Sequence, residues 1–106
     1  MEKFIVFEGN INQESTLQLV NAIQSAIGQL PQATKITIIF SSLGGSIYDG
    51  FLLASFIQNS PIPIAIHAVN HVDSIANVVY LSAKERTAES HAKFYLHGAP
   101  TQGNFD

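Results

Sequence analysis

Three short apolar runs, KFIVFEG, KITIIF and PIPIAIHAV, are each separated from the next by a segment of helical character, and that alternation limits the fold more than any other feature. A helix-length connection returns the chain to the same end of a sheet, so successive strands must pair in parallel through right-handed crossovers. The predicted class is α/β with a parallel sheet and right-handed βα crossovers. Every strand then ends at the same edge, which is where open parallel sheets bind ligands.

The segments between the strands support this. In NQESTLQLVNAIQSAIGQLP, Val20, Ile23, Ile27 and Leu30 recur at helical spacing, with Asn12 placed as N-cap and Pro31 as the stop. KITIIF puts Ile36, Ile38 and Phe40 on one face and Ile39 on the other, which predicts a strand covered on both sides. The loop SSLGGS follows, and then SIYDGFLLASFIQN. There Ser46 and Asp49 have the spacing of a capping box, and Ile47, Phe51 and Ala54 share a helical face. Ile62, Ile64, Ile66 and Ala68 alternate in the third strand, with Pro61 and Pro63 confined to its beginning. The run from Ser74 to Ala83 is apolar nearly all round, the pattern of a helix buried on most sides, and AKFYLHG reads as a fourth strand.

Composition narrows the function. The 106 residues form one domain, large enough to bury roughly 60–70% of the surface of the unfolded chain. Cysteine is absent, which excludes disulfides, thiolate metal sites and sulfur redox chemistry. With a net charge of −3 and only five Lys and Arg residues, scattered along the chain, there is no basic stripe for nucleic acid. Neither a leader nor a membrane-spanning run is visible, so the chain is expected to be soluble and cytoplasmic. Charged residues make up 12%, against about 25–35% of a well-solvated surface, so part of the surface is expected to be an interface.

Three polar features meet at the carboxyl edge by topology alone: the Gly44-Gly45 loop, Ser74 at a helix start, and His97 at a strand end. Paired glycines bring bare N–H groups close to a ligand, although they also make an ordinary strand-to-helix turn. Their surroundings fit neither the dinucleotide nor the P-loop spacing, so no nucleotide cofactor is expected. Ser74 reads either as a helix cap, a role for which Asp73 competes, or as a nucleophile, which requires an imidazole within hydrogen-bond reach. His67 and His71, with Asp73 and His91 nearby, raise the question of a metal. On a strand, however, residues four apart cannot chelate one ion, so no metal is expected.

FSSLGGSIYDGFLLASFIQNSP, AVNHVDSIANVVYLSA and KFYLHGA together resemble the proteolytic subunit of the caseinolytic (Clp) protease, within the Clp/crotonase-like superfamily. Ser42-Leu43-Gly44-Gly45-Ser46 is similar to the family's SPGGS-like loop, Val72-Asp73-Ser74-Ile75-Ala76 to its AASMG-like nucleophile turn, and Phe94-Tyr95-Leu96-His97 to its strand ending in His. The resemblance implies Ser74 as nucleophile, His97 as general base, and the backbone N–H groups of Gly45 and Ile75 as the oxyanion hole. It implies a serine endopeptidase acting on unfolded proteins, assembled as a homo-oligomeric ring and fed by an ATPase unfoldase.

Several positions depart from the family pattern. Leu43 replaces a Pro, Asp73 replaces a small residue, and Ala76-Asn77 stand where Gly is common. The family's imidazole-orienting Asp comes well after the His, whereas here only Asp106 follows His97 and does not match it. Residues 1–106 are therefore expected to be a single Clp protease-like domain lacking the C-terminal part of the family fold. Two other functions compete. One is a non-catalytic homologue or fragment acting in assembly; the other is a crotonase-like acyl-CoA enzyme in which the Gly45 N–H polarises a thioester carbonyl.

Overall fold

The computed structural model describes residues 1–96. The order is β1 (Glu2–Glu8), α1 (Gln13–Gly28), β2 (Lys35–Ser42), α2 (Ile47–Gln58), β3 (Ile64–Asp73), α3 (Ala76–Ser82), β4 (Glu85–Ala88) and β5 (Lys93–Tyr95). All described strand pairs are parallel, as the alternation requires. The strands lie in the order β1-β2-β3-β4, and β5 also pairs with β3.

β3 has two parallel partners on one side because it changes course midway. Ala65–Ala68 pair with β4, and His71–Asp73 pair with β5. Between these two halves the register against β2 shifts, from Phe40 opposite Ala68 to Ser42 opposite Val72, and Asn70 takes the left-handed φ of 60°. β3 thus carries two extra residues against β2, and an insertion of this kind bends and twists its strand. The predicted loop Asn70–Asp73 is therefore a continuation of β3. Ser41 and Ser42 likewise belong to β2, and both are buried.

Ile36, Ile38 and Phe40 of β2 and Ile64, Ile66 and Ala68 of β3 form the core face, packed against Leu19 and Ile23 of α1, Leu53 and Ile57 of α2, and Val79 of α3. Asn12 caps α1 as predicted: its side chain accepts from the Ser15 N–H, and the Ser15 hydroxyl accepts from the Asn12 N–H, at 2.8 and 3.0 Å. The buried stripe of α1 is Thr16, Leu19, Ile23 and Ala26, flanked by half-buried Val20 and Ile27. Leu30 lies beyond the helix and is exposed.

Other expectations need correction. α2 buries Gly50, Leu53, Ala54 and Ile57, whereas Ile47 and Phe51 are 63% and 56% exposed. Ser46 does cap it, accepting from the Asp49 N–H at 3.1 Å. The sheet face opposite the core is not fully covered among the described residues: Ile39 is half-buried, and Phe4 and Val6 beside it are 65% and 72% exposed. α3 begins at Ala76 rather than Ser74, and it too has an open side at Leu81. β4 was not predicted, because all four of its residues are exposed and none gives an apolar signal.

Candidate active site

The carboxyl ends of β1, β2, β3 and β5 are laced together at one edge. Gly9 N–H donates to the Ser41 carbonyl (3.1 Å), Ile11 N–H to the Gly44 carbonyl (2.8 Å), and Ser46 N–H to the Ile11 carbonyl (2.8 Å). The chain at Gly44-Gly45 is thus held as a third rung beside Ile11. Ser42 Oγ accepts from the Gly44 N–H at 3.0 Å and braces the loop from within.

Both glycines are required by geometry. Gly44 has φ +98°, and a Cβ there would stand 2.9 Å from the Asp73 carbonyl oxygen and 3.0 Å from Ser74 Cβ. Gly45 has φ +145°, and its Cβ would overlap the Ile11 carbonyl. Bare backbone is what lets this loop approach the Ser74 turn so closely. No described group accepts a hydrogen bond from the N–H of Gly45 or of Ile75, although the neighbouring amides Gly44, Ser46, Ser74 and Asn77 all donate.

Ser74 sits between β3 and α3 with φ +56°. A left-handed conformation costs a non-glycine residue on the order of 1–2 kcal/mol and needs support from its surroundings. Part of that support is the Ser74 N–H, which donates to the Tyr95 carbonyl at 2.7 Å. Ser74 is not a cap: Ile75 occupies the N-cap position of α3, with no side-chain bond, so neither Ser74 nor Asp73 does that work. Asp73 Oδ1 is shielded from solvent and has no hydrogen-bond partner among the described residues. Ile75 is itself fixed from behind, since its side chain fills the space that a Cβ on Gly50 would need.

Substituting Ser74 by glycine separates the hydroxyl from the backbone. Ser74→Gly should raise stability by about 1 kcal/mol, because glycine adopts positive φ freely, whereas Ser74→Ala should bring no such gain. Urea unfolding of the two variants measures the difference.

Of the four residues predicted for the site, the structure brings Ser74, Gly45 and Ile75 to one edge, and His97 lies outside the described residues, as does Asp106. The histidines considered for a metal do not gather: His67 pairs through Nδ1 with Thr87 Oγ1 at 2.7 Å, and no three His or acidic residues cluster among the described residues. Sequence reasoning missed Asn77. It is 8% exposed, and its Nδ2 donates to the carbonyls of Val72 (3.1 Å), Ser74 (3.1 Å) and Tyr95 (2.8 Å). A single amide inside the apolar run SIANVVYL was the available signal, since a buried amide must find partners.

Solved structures with this fold include ClpP1 from Listeria monocytogenes (TM-score 0.82, 21% identity, 97% of this chain and 60% of that one). The ClpP protease catalytic domain from Plasmodium falciparum is also similar (TM-score 0.77, 20% identity, 89% and 54%). A third is a membrane-bound stomatin-specific protease, 1510-N, bound to a substrate peptide (TM-score 0.76, 19% identity, 89% and 43%). The chain thus spans 53–60% of the ClpP chains it resembles. Among curated proteins, none matches it. The sequence itself matches the Clp protease family over residues 1–104, nearly its whole length, and with the parallel sheet and the Gly-Gly loop set against a serine turn, the chain belongs to that family.

Proposed function

We propose that this chain is a serine endopeptidase subunit of Clp type that hydrolyses peptide bonds of unfolded proteins. The observation that carries the reading is the seating of Gly44-Gly45 against the Ser74 turn, with no acceptor among the described residues for the amides of Gly45 and Ile75. In this reading His97 takes the Ser74 proton as Oγ attacks the scissile carbonyl carbon. The N–H groups of Gly45 and Ile75 receive the oxyanion. Collapse breaks the C–N bond, His97 gives its proton to the leaving amine, and water then hydrolyses the acyl ester. No metal or cofactor enters these steps.

A homo-oligomeric ring in the cytoplasm, served by an ATPase unfoldase, is proposed by family analogy. Support for assembly comes from the exposed Phe4, Val6, Ile47, Tyr48, Phe51 and Leu52. No helix among the described residues is long and apolar enough to cross a membrane. A non-catalytic assembly role is favoured by one observation, Asp73 beside Ser74, whose Oδ1 has no partner among the described residues; a carboxylate there would oppose a developing oxyanion.

Hydrolysis of a fluorogenic peptide panel tests the proposal. Ser74→Ala and His97→Ala should each reduce cleavage to background. Equal cleavage by wild type and Ser74→Ala would exclude the serine mechanism.

A further inference from the structure

We propose that Asn77 is the positioning residue of this site, a clamp that fixes the Ser74 turn to both strands that meet there. The inference rests on the peptidase reading for its consequence but on geometry for its substance. Three carbonyls from three different segments converge on one side-chain amide: Val72 from β3, Ser74 from the turn, and Tyr95 from β5. An amide nitrogen has two hydrogens, so at least one is shared among the three acceptors.

Two of these carbonyls already have partners. Tyr95 O accepts from the Ser74 N–H, and Ser74 O accepts from the Asn77 N–H, at 2.7 and 3.0 Å. At Ser74 and Tyr95 the side chain therefore cross-links carbonyls that are already bonded, rather than only satisfying orphaned groups. Nor does it cap α3, whose N-cap is Ile75. The cross-link spans the residue with φ +56°, whose conformation would otherwise rest on few local contacts. It also ties that residue to Tyr95, two positions before His97 in sequence. Asn77 thus acts through Ser74, setting the direction of its hydroxyl and its attachment to β5, without touching substrate.

Two readouts on Asn77→Ala and Asn77→Ser in the full chain test this. One is the rate of labelling of Ser74 by a fluorophosphonate. The other is hydrogen exchange at the Ser74 N–H and the β5 amides against those of β2. With the clamp removed, labelling should slow by about 10–10²-fold, since a displacement of about 1 Å at a reacting group has that order of effect. Ser74 and β5 exchange should accelerate at least about tenfold with β2 unchanged, because the opening is local. Asn77→Ser, which keeps one donor in a smaller side chain, should fall between wild type and Asn77→Ala in both readouts and covers the case in which alanine unfolds the chain.

Unchanged labelling and exchange in a folded variant would overturn the clamp, as would exchange rising equally in β2, which would make Asn77 an ordinary core residue. If the wild type is not labelled at all, the peptidase reading fails on its own, and the exchange arm still decides whether Asn77 holds the turn.

Discussion

Gly45→Ala should cost about 3–5 kcal/mol of stability. Two effects add. The φ of +145° is a region that side chains rarely adopt, worth on the order of 1–3 kcal/mol. The new Cβ would also overlap the Ile11 carbonyl, which accepts from the Ser46 N–H at 2.8 Å, so relief requires parting the loop from Ile11 and breaking that bond. For a domain of this size each kcal/mol shifts Tm by about 4–8 °C, so a fall on the order of 12–40 °C is expected in thermal unfolding. Gly9→Ala is the internal control. Its φ of +133° is similar, but nothing lies within 4 Å of the added Cβ, so it should show the backbone cost alone. Equal losses at the two positions would mean that the Ile11 contact contributes nothing. In any variant that stays folded, displacing the Gly45 amide should lower turnover by about 10²–10³, the usual effect of removing one oxyanion donor.

Phe40→Ala should be comparably severe for a different reason. Phe40 is fully buried on the core face of β2, with its ring centroid 5.6 Å from that of Phe7, and it leads directly into Ser41, Ser42 and the glycine loop. Removing a buried Phe ring costs about 3–5 kcal/mol through lost transfer energy and a cavity that the rigid sheet cannot close. Phe4→Ala, on the opposite and open face of β1, should change stability by less than about 0.5 kcal/mol. Urea unfolding of the pair tests which face is the core. A large loss at Phe4 would place a covering element on that face.

These contrasts show what the sequence does and does not disclose. Alternating Ile residues in β2 and β3 mark the core face, but Ile39, Ala65 and Val69 on the other face are apolar too, so the sequence could not say that this second face stays open. α2 gives no such contrast: it is apolar nearly all round, and Ile47 and Phe51 are as hydrophobic as the Leu53 and Ile57 that are actually buried. β4 is invisible for the opposite reason, since Glu85, Arg86, Thr87 and Ala88 are all exposed and carry no apolar alternation, although Glu85 pairs with Lys35 and Thr87 with His67 across the sheet. The irregularity in β3 is carried by Asn70 and His71, which read as loop although the backbone stays in the sheet.

At the site, the Gly44-Gly45 loop was legible because a glycine pair marks a turn locally. Asn77 was not, because its three acceptors come from Val72, Ser74 and Tyr95, and only the folded chain brings Tyr95 to the other two. Sequence likewise could not say that Ile75 is wedged against Gly50, a contact between α2 and the turn after β3.

Intact mass after exposure to a fluorophosphonate tests the activation of Ser74 most directly, on the wild-type chain and on Ser74→Ala and His97→Ala. The expected result is one adduct per wild-type chain, absent from both variants, which requires a hydroxyl activated by that imidazole. A demonstrably folded wild-type chain that stays unlabelled would contradict the peptidase proposal and leave Ser74 as a strained turn residue without a chemical role.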